Sequence, residues 1–272
     1  MSDAAERAVL RTIEVMRDRM GEPLTVDDLA RAAMFSKFHF TRLFQRVTGV
    51  SPGRFLSALR LQKAKHLLVS TGMNVADISV EVGYNSVGTF SSRFSRSVGM
   101  SPTTYRRRAG YAPVIPVNAG AGARAGSPSN ARLSFGLRTA APHDGALIFA
   151  GLFPGPIPEG PPVRCAVLHR PGRVRFDSVP LGTWYLLAQS VAPHATHPAA
   201  DCACPDRPVS AASHGPVLVR RNSVIAADLV LRPMRALDPP VLLALLDVRT
   251  YAMAHQAEQR DRPAYLNEDV AA

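Results

Sequence analysis

The sequence predicts a multidomain chain: an all-α double helix-turn-helix domain followed by an all-β antiparallel sandwich. Three observations carry this. The stretch at residues 26–52, VDDLARAAMFSKFHFTRLFQRVTGVSP, returns at residues 75–102 as VADISVEVGYNSVGTFSSRFSRSVGMSP, and a matched internal repeat marks a duplicated structural unit. After Tyr111 the composition breaks into a run rich in Pro, Gly, Ala and Ser. Beyond that run, helical periodicity gives way to short alternating segments divided by turn residues.

The repeat is detailed. Val26, Asp28 and Leu29 recur 49 residues later as Val75, Asp77 and Ile78, and Ser36, Phe40, Phe44, Arg46, Gly49, Ser51 and Pro52 recur 50 later as Ser86, Phe90, Phe94, Arg96, Gly99, Ser101 and Pro102. The one-residue offset falls in the turn. Each copy reads as helix, tight turn, helix. Thr25 is the N-cap of the first helix, with Asp28 three positions on, and Val26, Leu29, Ala30 and Ala33 form its apolar face. Ser36 caps the second helix, whose inner side carries Phe40, Leu43, Phe44 and Val47 and whose outer side carries Lys37, Phe38, Thr41, Arg42 and Gln45. Gly49 ends that helix, and Ser51-Pro52 begins the next. Such a basic, hydrogen-bonding helix face on a helix-turn-helix suits a major groove.

The remaining helices frame these units. Residues 4–20 form an opening amphipathic helix with Val9, Ile13, Met16 and Met20 inward. Residues 52–70 form a long helix of about 28 Å, a suitable spacer for two reading heads, since successive major-groove faces lie about 34 Å apart. Its cations Arg54, Arg60, Lys63 and Lys65 are candidates for phosphate contacts, with a solvated face expected for most of them. Arg106, Arg107 and Arg108 close the last helix, where cations suit the helix dipole and could touch phosphate.

The chain carries a net charge of +11, unevenly spread: residues 1–110 hold 17 Lys and Arg against 9 Asp and Glu, the remainder 15 against 12. A basic surface of this kind attracts phosphate whatever its sequence. The 272 residues exceed a usual single core and imply two domains. We place a DNA-binding domain at 1–110, a linker at 111–131, a β domain at 132–250 and a polar tail at 251–272. No apolar run is long enough to span a membrane and no signal peptide opens the chain, so no membrane partner and a cytoplasmic location are expected. Three cysteines, Cys165, Cys202 and Cys204, are too few for a disulfide framework.

Residues 5–108 resemble the AraC-type DNA-binding domain, two helix-turn-helix units joined by one long helix. The segments LTVDDLARAAMFSKFHFTRLFQRVTGVSPGRFL and ADISVEVGYNSVGTFSSRFSRSVGMSPTTYRR carry the resemblance. It implies double-stranded DNA as partner, with base-reading positions at Phe38, Thr41 and Arg42 in the first unit and at Val87, Gly88, Ser91 and Ser92 in the second. A basic residue is common in that family where Ser92 stands. Lys37, Arg46, Arg93 and Arg96 are expected on phosphates, and Arg42 leads base readout, because a guanidinium can bond guanine O6 and N7 together. Most regulators of this type carry the sensing domain before the DNA-binding domain; this chain reverses the order.

In the second half, strands are predicted at 132–138, 146–153, 163–169, 173–177, 183–191, 217–220 and 223–232, with Pro and Gly turns between them. The segment GRVRFDSVPLGTWYLLAQSV, residues 172–191, resembles transthyretin-like and carboxypeptidase regulatory-like sandwiches, and Trp184 and Tyr185 should point to opposite faces. Residues 239–246 read as a strand or short helix. One further constellation is His194, His197, Cys202 and Cys204, soft ligands within eleven residues of one another, set against the plainer reading of a polar loop. No P-loop, dinucleotide glycine fingerprint or Ser-His-Asp arrangement occurs, so no cofactor is implied and no enzyme is expected.

The sequence thus points to a sequence-specific transcriptional regulator with a C-terminal β domain for ligand sensing or protein contact. RNA polymerase, a small-molecule effector and a homodimer partner stay open. The alternatives are a DNA-targeted enzyme or thiol or metal sensor using Cys202 and Cys204, and a regulator whose β domain only dimerises.

Overall fold

The computed structural model describes residues 3–108, 110, 130–140, 147–191 and 210–242. The helical part begins with α1 (Asp3–Asp18), which buries Val9, Ile13 and Met16. Helix α2 (Val26–Ala32) opens on the expected capping box: Thr25 Oγ1 accepts from the Asp28 N–H, and the Asp28 carboxylate accepts from the Thr25 N–H at 2.9 Å. At α3 (Lys37–Thr48), Ser36 caps the start, and Gly49 ends the helix at φ +80, a conformation nearly free of cost for glycine. The second copy repeats this grammar. Asn74 caps α5 (Val75–Glu81), Ser86 caps α6 (Val87–Val98), and Gly99 stops α6 at φ +92.

A three-ring aromatic ladder recurs in both units and explains why the repeat extends through its Ser-Pro ending. Phe40 and Phe44 lie 5.6 Å apart and Phe44 meets Phe55 at 5.4 Å; Phe90 and Phe94 lie 5.6 Å apart and Phe94 meets Tyr105 at 5.6 Å. Phe55 and Tyr105 each stand three residues after the proline that opens α4 (Pro52–Ser70) and α7 (Pro102–Arg107). The proline fixes where the next helix starts and therefore where the third ring lands. Large rings in edge-to-face contact dominate such small cores.

Helix α4 spans the expected residues, but its cations are not a solvated face. Arg54 pairs with Glu159 of the β domain at 2.8 Å, and Arg60 donates to the Met20 and Glu22 carbonyls at 3.0 and 2.7 Å. Lys65 is 4% exposed, with its ammonium 5.8 Å from the Tyr105 ring centre. Only Lys63 of the four remains exposed on the helix without such a role. The reason is that α4 runs between both units and is enclosed on most sides: Phe55, Leu56, Leu59, Leu61, Ala64, Leu67 and Leu68 are all buried. Arg106 likewise turns inward, donating to the Leu68 carbonyl at 2.9 Å near the C-terminal end of α4.

Among the described residues the second half holds seven strands: β1 (Arg132–Thr139), β2 (Leu147–Phe153), β3 (Arg164–Leu168), β4 (Arg173–Phe176), β5 (Gly182–Val191), β6 (Ser210–Val219) and β7 (Val224–Pro233). Their order is β3-β2-β5-β6-β7-β1-β4 in one sheet, and the edge strands β3 and β4 approach one another, so the sheet is nearly closed. All-β content was expected, but the pairing is not wholly antiparallel. The first and last strands run parallel, with Leu137 opposite Leu229 and Leu133 opposite Ile225. This long-range closure has no signature in local alternation. The β6–β7 hairpin pairs only far from its turn, at Ser210–Pro233 and Ala211–Arg232. Strand β6 begins seven residues before the predicted start; its SAASHGP opening lacks apolar alternation, yet it pairs with β5 along its length.

Leu133, Phe135, Leu137, Ile148, Phe176, Leu186 and Leu229 share the main β core. Trp184 packs against that core, while Tyr185 packs on the other face against Phe149, Phe153, Leu187 and Val241, so the two aromatic neighbours do point to opposite faces. Of the segment 239–246, residues 239–242 are neither strand nor helix, and 243–246 lie outside the described residues. Instead the described part forms a strap that, with the β2–β3 loop, docks the two domains: Ile157, Leu237 and Leu242 are buried in the helical core. Polar contacts reinforce the junction. Glu159 accepts from Ser97 Oγ at 3.0 Å as well as from Arg54, and the Gly160 N–H donates to the Ser97 carbonyl at 2.9 Å.

Candidate nucleic-acid interface

The outer face of α3 is exposed and distinctive. Phe38 is 73% exposed, so a partner that covered its ring would gain the free energy of burying that apolar area. The Arg42 guanidinium lies 5.6 Å from the Phe38 ring centre, a cation–π contact that pre-positions both side chains. Thr41 is half-buried and turns its hydroxyl back to the Lys37 carbonyl at 2.8 Å. Arg42 and Arg46 are exposed and meet no acidic partner among the described residues. Lys37 is exposed too but is held at 2.7 Å by Asp27 of α2. An anchor on phosphate would have to leave that pair.

The outer face of α6 is smaller and less charged. Val87 is 41% exposed, Gly88 and Ser92 are exposed, and Ser91 is half-buried. A Cβ on Gly88 would meet nothing nearer than Ser86 Oγ at 3.7 Å, so the backbone there is open to close approach. Arg96 is exposed near the helix end. Arg93 is half-buried, and its Nε donates to Ser57 Oγ of α4 at 2.9 Å, so part of its guanidinium fastens the second unit to the spacer helix. The two heads are therefore unequal: the first offers arginine and an aromatic ring, the second mainly small groups.

The turns between helices show the same asymmetry. Met34 adopts φ +59 and stands where Gly83, at φ +83, stands in the second copy. A Cβ on Gly83 would fall 2.5 Å from the Met20 carbonyl oxygen and 2.7 Å from Arg60, whereas Met34 is 83% exposed. The exposed turn tolerates a side chain and the packed one does not. At the start of α2, hydrogen bonds from the Thr25 hydroxyl and N–H hold the Asp28 carboxyl below its ordinary range. Asp28 also pairs with Arg31.

Sequence periodicity located the outward residues of α3 and α6, but not Asp27 as the partner of Lys37 or Ser57 as the seat of Arg93. Both contacts span two helices, and their residue types are ordinary for helix surfaces. His194, His197, Cys202 and Cys204 lie outside the described residues. Among the described residues no cluster of three or more His, Cys, Asp or Glu is arranged for a metal, and no helix is long and apolar enough to cross a membrane.

Residues 29–108 match the family model described as a helix-turn-helix domain. An uncharacterized HTH-type transcriptional regulator of Haemophilus influenzae is 42% identical over 82 residues, 30% of this chain and 28% of that protein. The N-terminal domain is a helix-turn-helix domain. The right origin-binding protein of Escherichia coli K12 is 33% identical to this chain over 92 residues, 34% of this chain and 32% of that protein. The matched region thus spans about a third or less of these relatives. A crystal structure of a transcriptional regulator from Chromobacterium violaceum, described as containing an AraC-type DNA-binding domain, aligns with 40% of this chain and 96% of that one at 26% identity and a TM-score of 0.38.

Proposed function

We propose that this chain is a cytoplasmic, sequence-specific transcriptional regulator that reads double-stranded DNA with α3 and α6. The supporting observation is the pair of outward helix faces on α3 and α6, both capped by Ser and ended by Gly in repeated units on one enclosed spacer helix, with Arg42 and Phe38 pre-positioned against each other. Arg42 bonds a guanine edge, Phe38 and Thr41 offer apolar contact to a neighbouring base, and Val87, Gly88, Ser91 and Ser92 follow the next turn of the groove. Arg46 and Arg96, with Lys37 once released from Asp27 and the outer part of Arg93, neutralise phosphates. The β domain, residues 132–250, acts as the sensing module, joined through 111–131, and residues 251–272 are a polar tail.

The test is selection of bound sequences from random duplex DNA by the full chain at stated salt, followed by the Arg42→Ala variant on the selected site. The variant should lose about 1–3 kcal/mol of discrimination at one base position. Equal weakening on every DNA sequence would refute base reading by Arg42.

A further inference from the structure

A cavity of about 260 Å³ lies where the β domain meets the helical domain. One wall is the C-terminal end of α3, from Val47 to Gly49; the opposite wall is the outer face of β5 and β6; the segment after β7 closes the side. On that sheet face Leu187 and Ser213, and Gln189 and Ala211, are cross-strand partners. The cavity falls just under the usual range of small-molecule sites, roughly 300–1,000 Å³.

Gln189 marks it as more than a packing gap. The side chain is 3% exposed, yet its Oε1 has no hydrogen-bond partner among the described residues. Buried amide oxygens are almost always satisfied, and an orphan lining a cavity calls for a donor that enters the cavity. A second polar feature faces the same space. Arg232 grips Asp238 with both terminal nitrogens at 2.7 and 2.8 Å, and the Arg235 N–H donates to the same carboxylate at 2.7 Å. That carboxylate is thereby committed. The Arg235 guanidinium stands off at 3.6 Å, half exposed, so the rim carries surplus positive charge. Val47, Met234 and Val241 supply the apolar lining between the two polar points.

We infer that this interdomain cavity binds a small organic monocarboxylate with an apolar body, its hydrogen-bond donor meeting Gln189 Oε1 and its carboxylate meeting Arg235. The inference rests on the regulatory reading above only for its consequence: a ligand seated against the end of α3 links the β domain to the first reading helix.

The test uses the full chain and calorimetric titration with indole-3-acetate, indole-3-propionate, mandelate and phenyllactate, each beside its neutral amide. At least one acid should bind saturably with a Kd below about 1 mM and about tenfold or more tighter than its amide. Arg235→Gln should remove that preference, and Gln189→Leu should weaken acid and amide alike. Because Gln189→Leu alters a buried position, Ser213→Phe, an exposed site on the cavity wall, provides a second block that leaves the core intact and should abolish binding. Failure of every acid to saturate by about 5 mM, equal binding of acid and amide, or unchanged binding by Ser213→Phe overturns the inference. DNA selection without acid binding would sink the cavity proposal alone; acid binding without sequence-selective DNA binding would sink the regulatory reading alone.

Discussion

Replacing Ile157 by alanine tests whether the two domains fold as a docked pair. Ile157 belongs to the β2–β3 loop, yet it is 2% exposed and buried in the helical core together with Leu237 and Leu242. Truncating a buried isoleucine costs about 2–5 kcal/mol, and a loop that can resettle belongs near the lower end, about 2–3 kcal/mol. For a unit of this size each kcal/mol lowers Tm by about 2–4 °C, giving a fall of roughly 4–12 °C. Two probes separate the domains. Trp184 is the only tryptophan and packs against the β core with its Nε1 donating to the Pro180 carbonyl at 2.8 Å, so its fluorescence follows the β domain. The helical band of circular dichroism follows α1–α7. Both midpoints should fall together, while Val230→Ala, at a 53% exposed position, moves neither. A helical midpoint that stays fixed while the tryptophan midpoint drops would refute the docked arrangement.

Three further outcomes follow from single contacts. Asp27→Asn frees Lys37 from its 2.7 Å partner, so non-specific DNA affinity should rise and the salt slope steepen by about one unit, read by titration at several salt concentrations. Met34→Gly should raise stability by about 0.5–1 kcal/mol by relieving a positive φ, whereas Gly83→Ala should lower it by more than that, because the added Cβ meets the Met20 carbonyl at 2.5 Å; urea unfolding of both variants compares them. Burial alone would push the Asp238 carboxyl up, but the Arg232 fork, the Arg235 N–H and both guanidinium charges outweigh it and hold it below its ordinary value of 3.8. Its contribution is therefore present above that ordinary value and lost as pH falls through the lower folded-state pKa. Asp238→Asn should flatten the acid limb of stability against pH, measured by denaturation from neutral pH down to about pH 2.

The helical domain was legible because its information is local and repeated. Ser36, Gly49, Ser86 and Gly99 are capping residues whose chemistry acts within one turn, and Phe40, Phe44, Phe90 and Phe94 declare the buried face by spacing. The strands were found for the same reason wherever they alternate, as in β1 and β4. What stayed hidden depends on distance. The parallel closure of β1 on β7 joins the ends of a domain; the opening of β6 is a strand only because β5 runs beside it. Glu159 and Ile157 sit in a Pro-Gly-rich loop that looks like solvent-exposed linker until Arg54, Ser97 and the helical core meet it. At the interface, outward positions were readable, but Arg93 and Lys37 were expected on phosphate when part of their bonding capacity is spent on Ser57 and Asp27.

The most direct measurement is equilibrium binding of the full chain, at one fixed salt concentration, to a selected duplex and to the same duplex with about five base pairs inserted between its half-sites. Two reading helices carried on the enclosed α4 spacer require half-sites one helical turn apart, about 10–10.5 base pairs. The insertion rotates one half-site by half a turn, so affinity should fall to that of a single half-site duplex, a loss of about 100-fold. Unchanged affinity for the inserted duplex would contradict paired reading of DNA by α3 and α6.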